Sequence, residues 1–156
     1  LGGGNAFARY SPTATDNNFD LVTKDFYMSL AFRINDNDSQ QRGLIFCENV
    51  NGFLLFRAYI QNGVIKCVIK EVVGTTTTVT IPDLTCLAET WYKLELIRNS
   101  ATGLFTVKVG NNSVSQAVLA FAAAVDNVAC GAGWGGDSFL GYIDRFIYQP
   151  NTIIPY

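Results

Sequence analysis

The stretch that decides the fold lies near the end of the chain, where Gly133–Ser138, GWGGDS, runs directly into Phe139–Tyr148, FLGYIDRFIY. Glycines allow the loop backbone conformations that other residues avoid, and the aromatic and β-branched residues that follow favour a strand. A glycine-rich loop before such a strand is typical of a β-sandwich whose last strand returns beside its first. We therefore expect an all-β protein that this strand closes.

Upstream of this stretch, apolar side chains recur at every second position of Phe26–Ile34, which predicts a strand with one buried face. Two Asn-Gly pairs, at 51–52 and 62–63, predict tight hairpin turns, and Gly110–Asn112 predicts another reversal. Short strands with turn residues between them indicate an antiparallel β-sandwich. The pattern also predicts strands at Gly43–Glu48, Phe53–Tyr59, Val64–Val72, Thr75–Ile81, Trp91–Arg98 and Leu104–Val109.

One segment fits two structures. Ala117–Val125 is rich in residues that favour a helix, but nine residues are too few for an isolated helix to be stable by propensity alone. We expect an extended strand there, with a short turn of helix as the alternative. No alternation of strands and helices occurs elsewhere, so a parallel α/β sheet is not expected.

The length of 156 residues suits a single domain. We expect a flexible hinge over residues 1–5, a jelly-roll sandwich over 6–149 and a C-terminal tail over 150–156. The chain begins Leu-Gly-Gly-Gly rather than with Met, which indicates a processed product or part of a longer polypeptide.

Charge and hydropathy bear on partners and location. Charged residues make up 15% of the chain, against roughly 25% in typical globular proteins, which favours an extracellular or virion surface. The net charge of −2 and the scattered Lys and Arg residues argue against nucleic acid. No apolar run reaches the roughly 20 residues of a membrane helix, so no membrane span is expected.

The four cysteines show no spacing typical of a zinc site. Cys47 and Cys67 are predicted to lie two strands apart, about 9 to 10 Å, which is too far for a disulfide. They are expected to be free buried thiols. Whether Cys86 and Cys130 pair is left open.

The order of these pieces resembles the laminin-G-like and concanavalin-A-like jelly-roll domains from about Ala6 to Tyr148. The last strand departs from that family in being one residue shorter between Asp144 and Tyr148. The resemblance implies a jelly-roll sandwich in which Trp91, Phe139 and Ile143 are core or strand-closing groups. The matching pieces are Phe26–Phe32, Gly43–Phe46, Phe53–Leu55, Asn62-Gly63, Trp91 with Leu94, Leu96 and Arg98, and Phe139-x-Gly141-x-Ile143-Asp144.

Catalysis is not expected. The chain has no histidine, the commonest general base and activator of Ser or Cys. Glycoside hydrolases need two facing carboxylates, and none of the glutamates has a second carboxylate two residues away. The glutamates are Glu48, Glu71, Glu89 and Glu95.

Calcium is the candidate cofactor, because laminin-G-like domains often bind it at one rim of the sandwich. The ion needs six to eight oxygen ligands. Asp137, Asp16 and Asp20 are the candidate ligands, together with the loop Asn35–Asp38. The alternative is that these residues simply form turns.

Trp134 is the main candidate for ligand contact, since an indole in a glycine loop has few partners to bury it and can stack on a sugar. Tyr10, Tyr59, Asn51 and Asp137 are the supporting candidates. The alternative is that Trp134 covers the sandwich edge or lies in a subunit interface.

Two functions follow from these observations. The first is a structural or adhesion domain of a virion or secreted surface assembly, with a protein partner, a parent assembly or further copies of the chain. The second is a carbohydrate-binding module for a surface glycan, with or without calcium.

Overall fold

The computed structural model describes residues 8–10, 25–37, 39–48, 54–71, 75–82, 84–118, 127–131 and 139–150. These residues form two antiparallel sheets packed face to face, so the expected all-β sandwich is confirmed. No membrane-spanning helix occurs within these ranges. The strands are β1 (Ala8–Tyr10), β2 (Phe26–Ile34), β3 (Arg42–Glu48), β4 (Leu54–Gln61), β5 (Val64–Lys70), β6 (Thr76–Thr80), β7 (Trp91–Asn99), β8 (Leu104–Val109), β9 (Asn112–Ala117), β10 (Asn127–Cys130) and β11 (Gly141–Pro150).

The six-stranded sheet has the order β1-β10-β3-β4-β5-β6 and the five-stranded sheet the order β11-β2-β7-β8-β9. Asn62 and Gly63, with φ angles of 50° and 74°, join β4 to β5 in the predicted tight turn. Gly110, with φ of 59°, begins the predicted reversal between β8 and β9. The pair Asn51-Gly52 lies outside the described residues.

The core fills the space between the two sheets. On β2 the predicted inner face is confirmed, because all five of its apolar side chains are fully buried. Burying each large apolar side chain contributes about 1.5–3 kcal/mol to folding. The inner residues of β2 are Phe26, Met28, Leu30, Phe32 and Ile34.

The closing strand lies beside the first strand that the sequence pattern predicts, and a shorter strand precedes that one in the chain. β11 pairs with β2, whereas β1 belongs to the other sheet and pairs with β10. The sequence pattern had not predicted β10, which lies between β1 and β3. Because β1 takes part in the six-stranded sheet, the edge of β2 is available to the closing strand. Of the segment Ala117–Val125, Ala117 ends β9, and the part beyond Val118 lies outside the described residues.

All four cysteines are free and buried. Cys47 on β3 and Cys67 on β5 are separated by β4, as expected. Cys86 and Cys130, whose pairing the sequence left open, are also unpaired. Burial raises the pKa of each of these two thiols to about 12.

Several loops meet where β2 ends. The Ile34 carbonyl accepts a hydrogen bond from the Glu89 amide at 2.8 Å, and the Asn35 amide donates to the Leu140 carbonyl at 3.0 Å. The Cys86 amide donates to the Gly63 carbonyl of the β4–β5 turn at 2.8 Å. These bonds hold the loop before β7 and the residues before β11 at one end of the sandwich.

Candidate functional site

The outward face of the five-stranded sheet carries an open pocket of about 430 Å³, which we call the trough. Its floor is formed by Ser29 and Ala31 on β2, and its walls come from the neighbouring strands β7 and β11. Small side chains on the central strand between larger ones on both sides leave a depression in the sheet surface. The wall residues are Trp91, Lys93, Asp144, Arg145 and Ile147.

A β-bulge shapes the β11 wall. Asp144 pairs with Ala31 and Ile147 pairs with Ser29, so β11 uses one residue more than β2 over this distance. Arg145 lies in the bulge with a φ of 52°, a backbone conformation that costs a non-glycine residue energy. Bulges redirect side chains, and this one adds Arg145 to the trough wall. The irregularity lies in the part of β11 where the sequence departs from the laminin-G-like pattern.

One end of the trough is aromatic. Trp91 is 52% exposed and Tyr142 is 54% exposed, and both are paired with Arg33 on the strand between them. The Arg33 guanidinium lies 4.7 Å from the centre of the Tyr142 ring and forms an ion pair with Glu89 at 3.0 Å. We call Arg33, Trp91 and Tyr142 the rim row.

Trp91, expected to be a core or strand-closing group, is half exposed and not in the core, whereas Phe139 and Ile143 do pack against the core. Successive strand residues point to opposite faces, and Leu94 and Leu96 point inward. Trp91 therefore faces outward. The same alternation is present in the sequence and could have identified this exposed indole.

A group of bonded side chains lies on the side of the trough away from the rim row, and one of its members, Lys93, lines the trough. Glu95 accepts hydrogen bonds from the Tyr27 hydroxyl at 2.7 Å and the Lys93 ammonium at 3.0 Å, and forms an ion pair with Lys108 at 3.3 Å. The Lys93 ammonium lies 5.7 Å from the centre of the Tyr27 ring. We call Tyr27, Lys93, Glu95 and Lys108 the Glu95 cluster.

β2 does not have the single buried face that its sequence predicts. Tyr27 and Ser29 face outward, yet they are only 2% and 1% exposed. The Lys93 ammonium lies over the Tyr27 ring, the Tyr27 hydroxyl is bonded to Glu95, and Ser29 lines the trough. The outward side chains of β2 contact residues of β7, and the alternation of residue types within β2 cannot predict such contacts.

The charges of the cluster are stable at neutral pH. Burial by itself would raise the pKa of Glu95, but the bonds from Tyr27, Lys93 and Lys108 outweigh it and lower the pKa. The pKa of Lys93 is raised, chiefly by its contact with Tyr27 and also by Glu95, against the opposing effect of burial. Glu95 therefore remains a carboxylate and Lys93 an ammonium.

The β11 wall of the trough carries two charged side chains, Asp144 and Arg145. In the part of the chain that the structure describes, the side chains of Asp144 and Arg145 make no hydrogen bond or ion pair. Asp144 offers acceptors and Arg145 offers donors on the same wall. A polyhydroxylated ligand needs both kinds of group.

Further exposed apolar side chains lie at the aromatic end of the trough. Leu87 and Leu140 are both exposed, and their loops are tied to the end of β2 by the bonds described above. Trp91 and Tyr142 are at the same end, whereas Leu104 is on a different part of the sheet. We call Leu87 and Leu140 the end patch.

Most of the site residues predicted from sequence lie outside the described part of the chain: Trp134, Asp137, Asn51, Asp16 and Asp20. Tyr59 is on β4, is mostly buried, and has the Arg57 guanidinium 4.7 Å from its ring centre. Only the backbone of Tyr10, in β1, is described. Tyr59, the candidate whose side chain is described, does not line the trough.

No metal site is visible within the described ranges, since they contain no group of three or more His, Cys, Asp or Glu residues arranged to hold an ion. In the candidate loop Asn35–Asp38, the Asp36 carboxylate accepts from the Asn37 amide at 2.7 Å. The Asn37 side chain donates to the Cys86 carbonyl at 3.3 Å. These two residues make the local bonds of turn formers.

No known family model matches this chain, and no curated protein matches it in sequence. Solved structures do match. The chain is similar to the botulinum neurotoxin serotype D ligand-binding domain, in a complex with N-acetylneuraminic acid, with 13% identity and a TM-score of 0.71 over 96% of the chain. It is also similar to the serotype G binding domain, with 10% identity and a TM-score of 0.66 over 96% of the chain.

A third similar structure is the receptor-binding domain of the serotype C/D mosaic neurotoxin, with 12% identity and a TM-score of 0.66 over 91% of the chain. The chain spans well under half of these domains, 37% of the serotype D domain, 40% of the serotype G domain and 36% of the mosaic domain. At such identities the likeness concerns the fold. The chain thus shares its β-sandwich architecture with part of these binding domains.

Proposed function

We propose that this chain is a non-catalytic binding domain of a surface assembly, on a virion or a secreted protein, and that the trough holds a sugar of a surface glycan. The observation that carries the proposal is the exposed indole of Trp91 in a pocket that is also lined by the charged side chains of Asp144 and Arg145. The order of the sequence motifs along the chain supports the proposal that this domain belongs to the laminin-G-like group.

The chemistry of the trough fits a sugar. An exposed indole offers a flat apolar face on which the C–H face of a sugar ring stacks, and Asp144 and Arg145 provide acceptors and donors for its hydroxyls. The volume of about 430 Å³ lies within the usual range for small-ligand sites. The similar neurotoxin domain in complex with N-acetylneuraminic acid supports the proposal, since it is also a binding domain.

The pKa values of Lys93, which lines the trough, and of Glu95, which is bonded to it, support binding rather than catalysis. A general acid of a glycosidase needs a raised pKa, whereas the pKa of Glu95 is lowered by three bonded donors. Lys93 has a raised pKa and stays protonated, so it is a poor general base. The chain also has no histidine to activate Ser29.

The test is a glycan array screened with the wild type and with Trp91→Ala. We expect a defined set of glycans to bind, and Trp91→Ala to lose about tenfold or more in affinity. Leu104→Ala is the matched control, because Leu104 is also an exposed apolar side chain at the start of a strand, outside the trough. Equal binding by wild type and Trp91→Ala would contradict the proposal.

A second function is attachment to a protein, which the end patch favours. Exposed apolar side chains that cluster mark interaction sites more often than scattered ones do, and Leu87 and Leu140 adjoin the rim row. Size-exclusion chromatography at micromolar concentration distinguishes the two functions. A clean monomer that binds glycans removes most of the support for protein attachment, whereas self-association reversed by Leu87→Ser supports it.

Calcium remains a proposal that rests on the sequence. Asp137, Asp16 and Asp20 are its candidate ligands. An ion that binds only the folded state must raise the melting temperature, so melting with calcium and with a chelator tests the proposal. Identical melting temperatures would exclude a calcium site in this chain.

A further inference from the structure

We infer that the trough takes an acidic sugar, one that carries a carboxylate or a sulfate group, and that Lys93 binds this group. The inference rests on the proposed function and adds the class of sugar. It follows from the way in which strand pairing and burial distribute the charged side chains around the trough.

The two walls of the trough carry opposite charges at the level of Ala31. Ala31 pairs with Lys93 on β7 and with Asp144 on β11, and all three residues line the trough. Adjacent strands are about 4.8 Å apart, so the backbones of the two walls are about 10 Å apart. An acidic group that binds at Lys93 is therefore separated from the Asp144 carboxylate by the width of the trough.

The carboxylate that pairs with Lys93 is buried, whereas the ammonium groups are exposed. The side chain of Glu95 is 8% exposed, that of Lys93 is 53% exposed and that of Lys108 is 43% exposed. Two ammonium groups share this one carboxylate, so the Glu95 cluster has an excess of positive charge. Because the carboxylate lies beneath, the cluster presents that excess to the solvent and to a ligand.

The Lys93 ammonium has the donors and the charge that an acidic group needs. An ammonium has three donors, and Lys93 uses one of them for Glu95 at 3.0 Å. Its pKa is raised by Tyr27 and by Glu95, so the group is charged at neutral pH. Hydrogen bonds that involve an ionised group are about twice as strong as those between neutral groups. A carboxylate or a sulfate is therefore preferred to a hydroxyl at this wall.

The other charged groups around the trough do not cancel this excess. On the β11 wall, Asp144 and Arg145 are both exposed and have opposite charges. In the rim row, Arg33 is paired with Glu89 and adds no net charge. The whole chain has a net charge of −2, so the positive charge at the trough is a local feature. A local field of this sign raises the concentration of anionic ligands near the site.

The first test is which glycans of the array bind. We expect the bound set to carry sialic acid, uronic acid or sulfated residues, and the binding to weaken as the salt concentration rises, because salt screens charge interactions. A bound set of neutral glycans overturns the inference but leaves the proposed function intact. If no glycan on the array binds at all, the proposed function fails and the inference fails with it.

The second test removes the acidic group from the ligand. The glycan with the strongest array signal is compared, by isothermal titration calorimetry, with the same glycan after methyl esterification of its carboxylate or removal of its sulfate. These two treatments distinguish which acidic group is recognised. We expect the affinity of the wild-type protein to fall by about tenfold or more. Equal affinities for the treated and untreated glycan overturn the inference.

A matched pair of variants tests the role of Lys93. Lys93→Gln removes the ammonium from the trough wall and is expected to lower affinity for the acidic glycan by about tenfold or more. Lys66→Gln removes the same charge from β5 of the other sheet, where Lys66 lies between two core residues and faces outward, and is expected to leave affinity unchanged. Thermal melting shows whether both variants are folded. Wild-type affinity in a folded Lys93→Gln variant overturns the inference, and if this variant does not fold, the comparison of the treated and untreated glycan on the wild type decides.

Discussion

The two faces of strand β2 differ in what determines them. On the inner face, large apolar side chains alternate regularly and all are buried in the core. On the outer face, burial falls from Tyr27 and Ser29 to Arg33, and it depends on groups that other strands provide. The comparison shows that the periodicity of a strand predicts its core face well and its outer face poorly.

The largest effect is expected on the inner face. Phe32 is fully buried and stacks on Tyr92 at 5.6 Å between ring centres. Phe32→Ala leaves a cavity and should lower the free energy of unfolding by about 3–5 kcal/mol, measured by urea denaturation. Arg33→Ala, one position away on the outer face, is the control. Similar losses for the two variants would abolish the distinction between the faces.

A smaller effect is expected at the Glu95 cluster. Glu95→Gln keeps the shape of the side chain but removes the charge that Lys93 and Lys108 share, and it should cost about 1–3 kcal/mol of unfolding free energy at neutral pH. Urea denaturation of both proteins gives the value. A stability equal to that of the wild type would show that the cluster does not hold this face together.

The pH dependence of that difference follows from the lowered pKa of Glu95. A carboxyl whose pKa is lower in the folded state stabilises the protein above its unfolded value of about 4.5, and this stabilisation is lost as the pH falls through the folded value. The gap between wild type and Glu95→Gln should therefore be constant from neutral pH to about pH 5 and narrow below about pH 4.5. A gap that stays constant at lower pH would contradict the assigned interactions.

The effect on stability is expected to be near zero at the rim row. Trp91 is half exposed, and surface substitutions usually change stability by no more than about 0.5 kcal/mol. Trp91→Ala should thus unfold at the urea concentration of the wild type. A large loss of stability would indicate that the indole is a structural group, as the family resemblance implied.

No effect at all is expected from reducing agents. The four thiols are free and buried, and burial raises their pKa values. Because the thiolate is the reactive form, the folded protein should not react with a thiol reagent, while all four should react in urea. Dithiothreitol should leave the melting temperature unchanged. A drop in melting temperature would reveal a disulfide.

Much of the fold was readable from the residues, but the site was not. The alternation of apolar and polar residues identified β2 and β7, and the pair Asn62-Gly63 identified the hairpin between β4 and β5. Both signals depend only on residues that are close together in the chain. The alternation of residue types in β7 also predicts that the Trp91 side chain faces outward. The trough itself depends on which strands flank Ser29 and Ala31. Trp134 and the calcium candidates lie outside the described residues and remain predictions.

The sequence by itself determined the β class, the inner face of β2 and the position of the Asn62-Gly63 turn, since each depends on residues close together in the chain. Only the tertiary structure decided that β11 and β7 flank β2, that the bulge adds Arg145 to the trough wall and that Glu95 gathers Tyr27, Lys93 and Lys108. These features arise from pairing between strands far apart in sequence. A pattern within one strand holds no information about which other strand lies beside it.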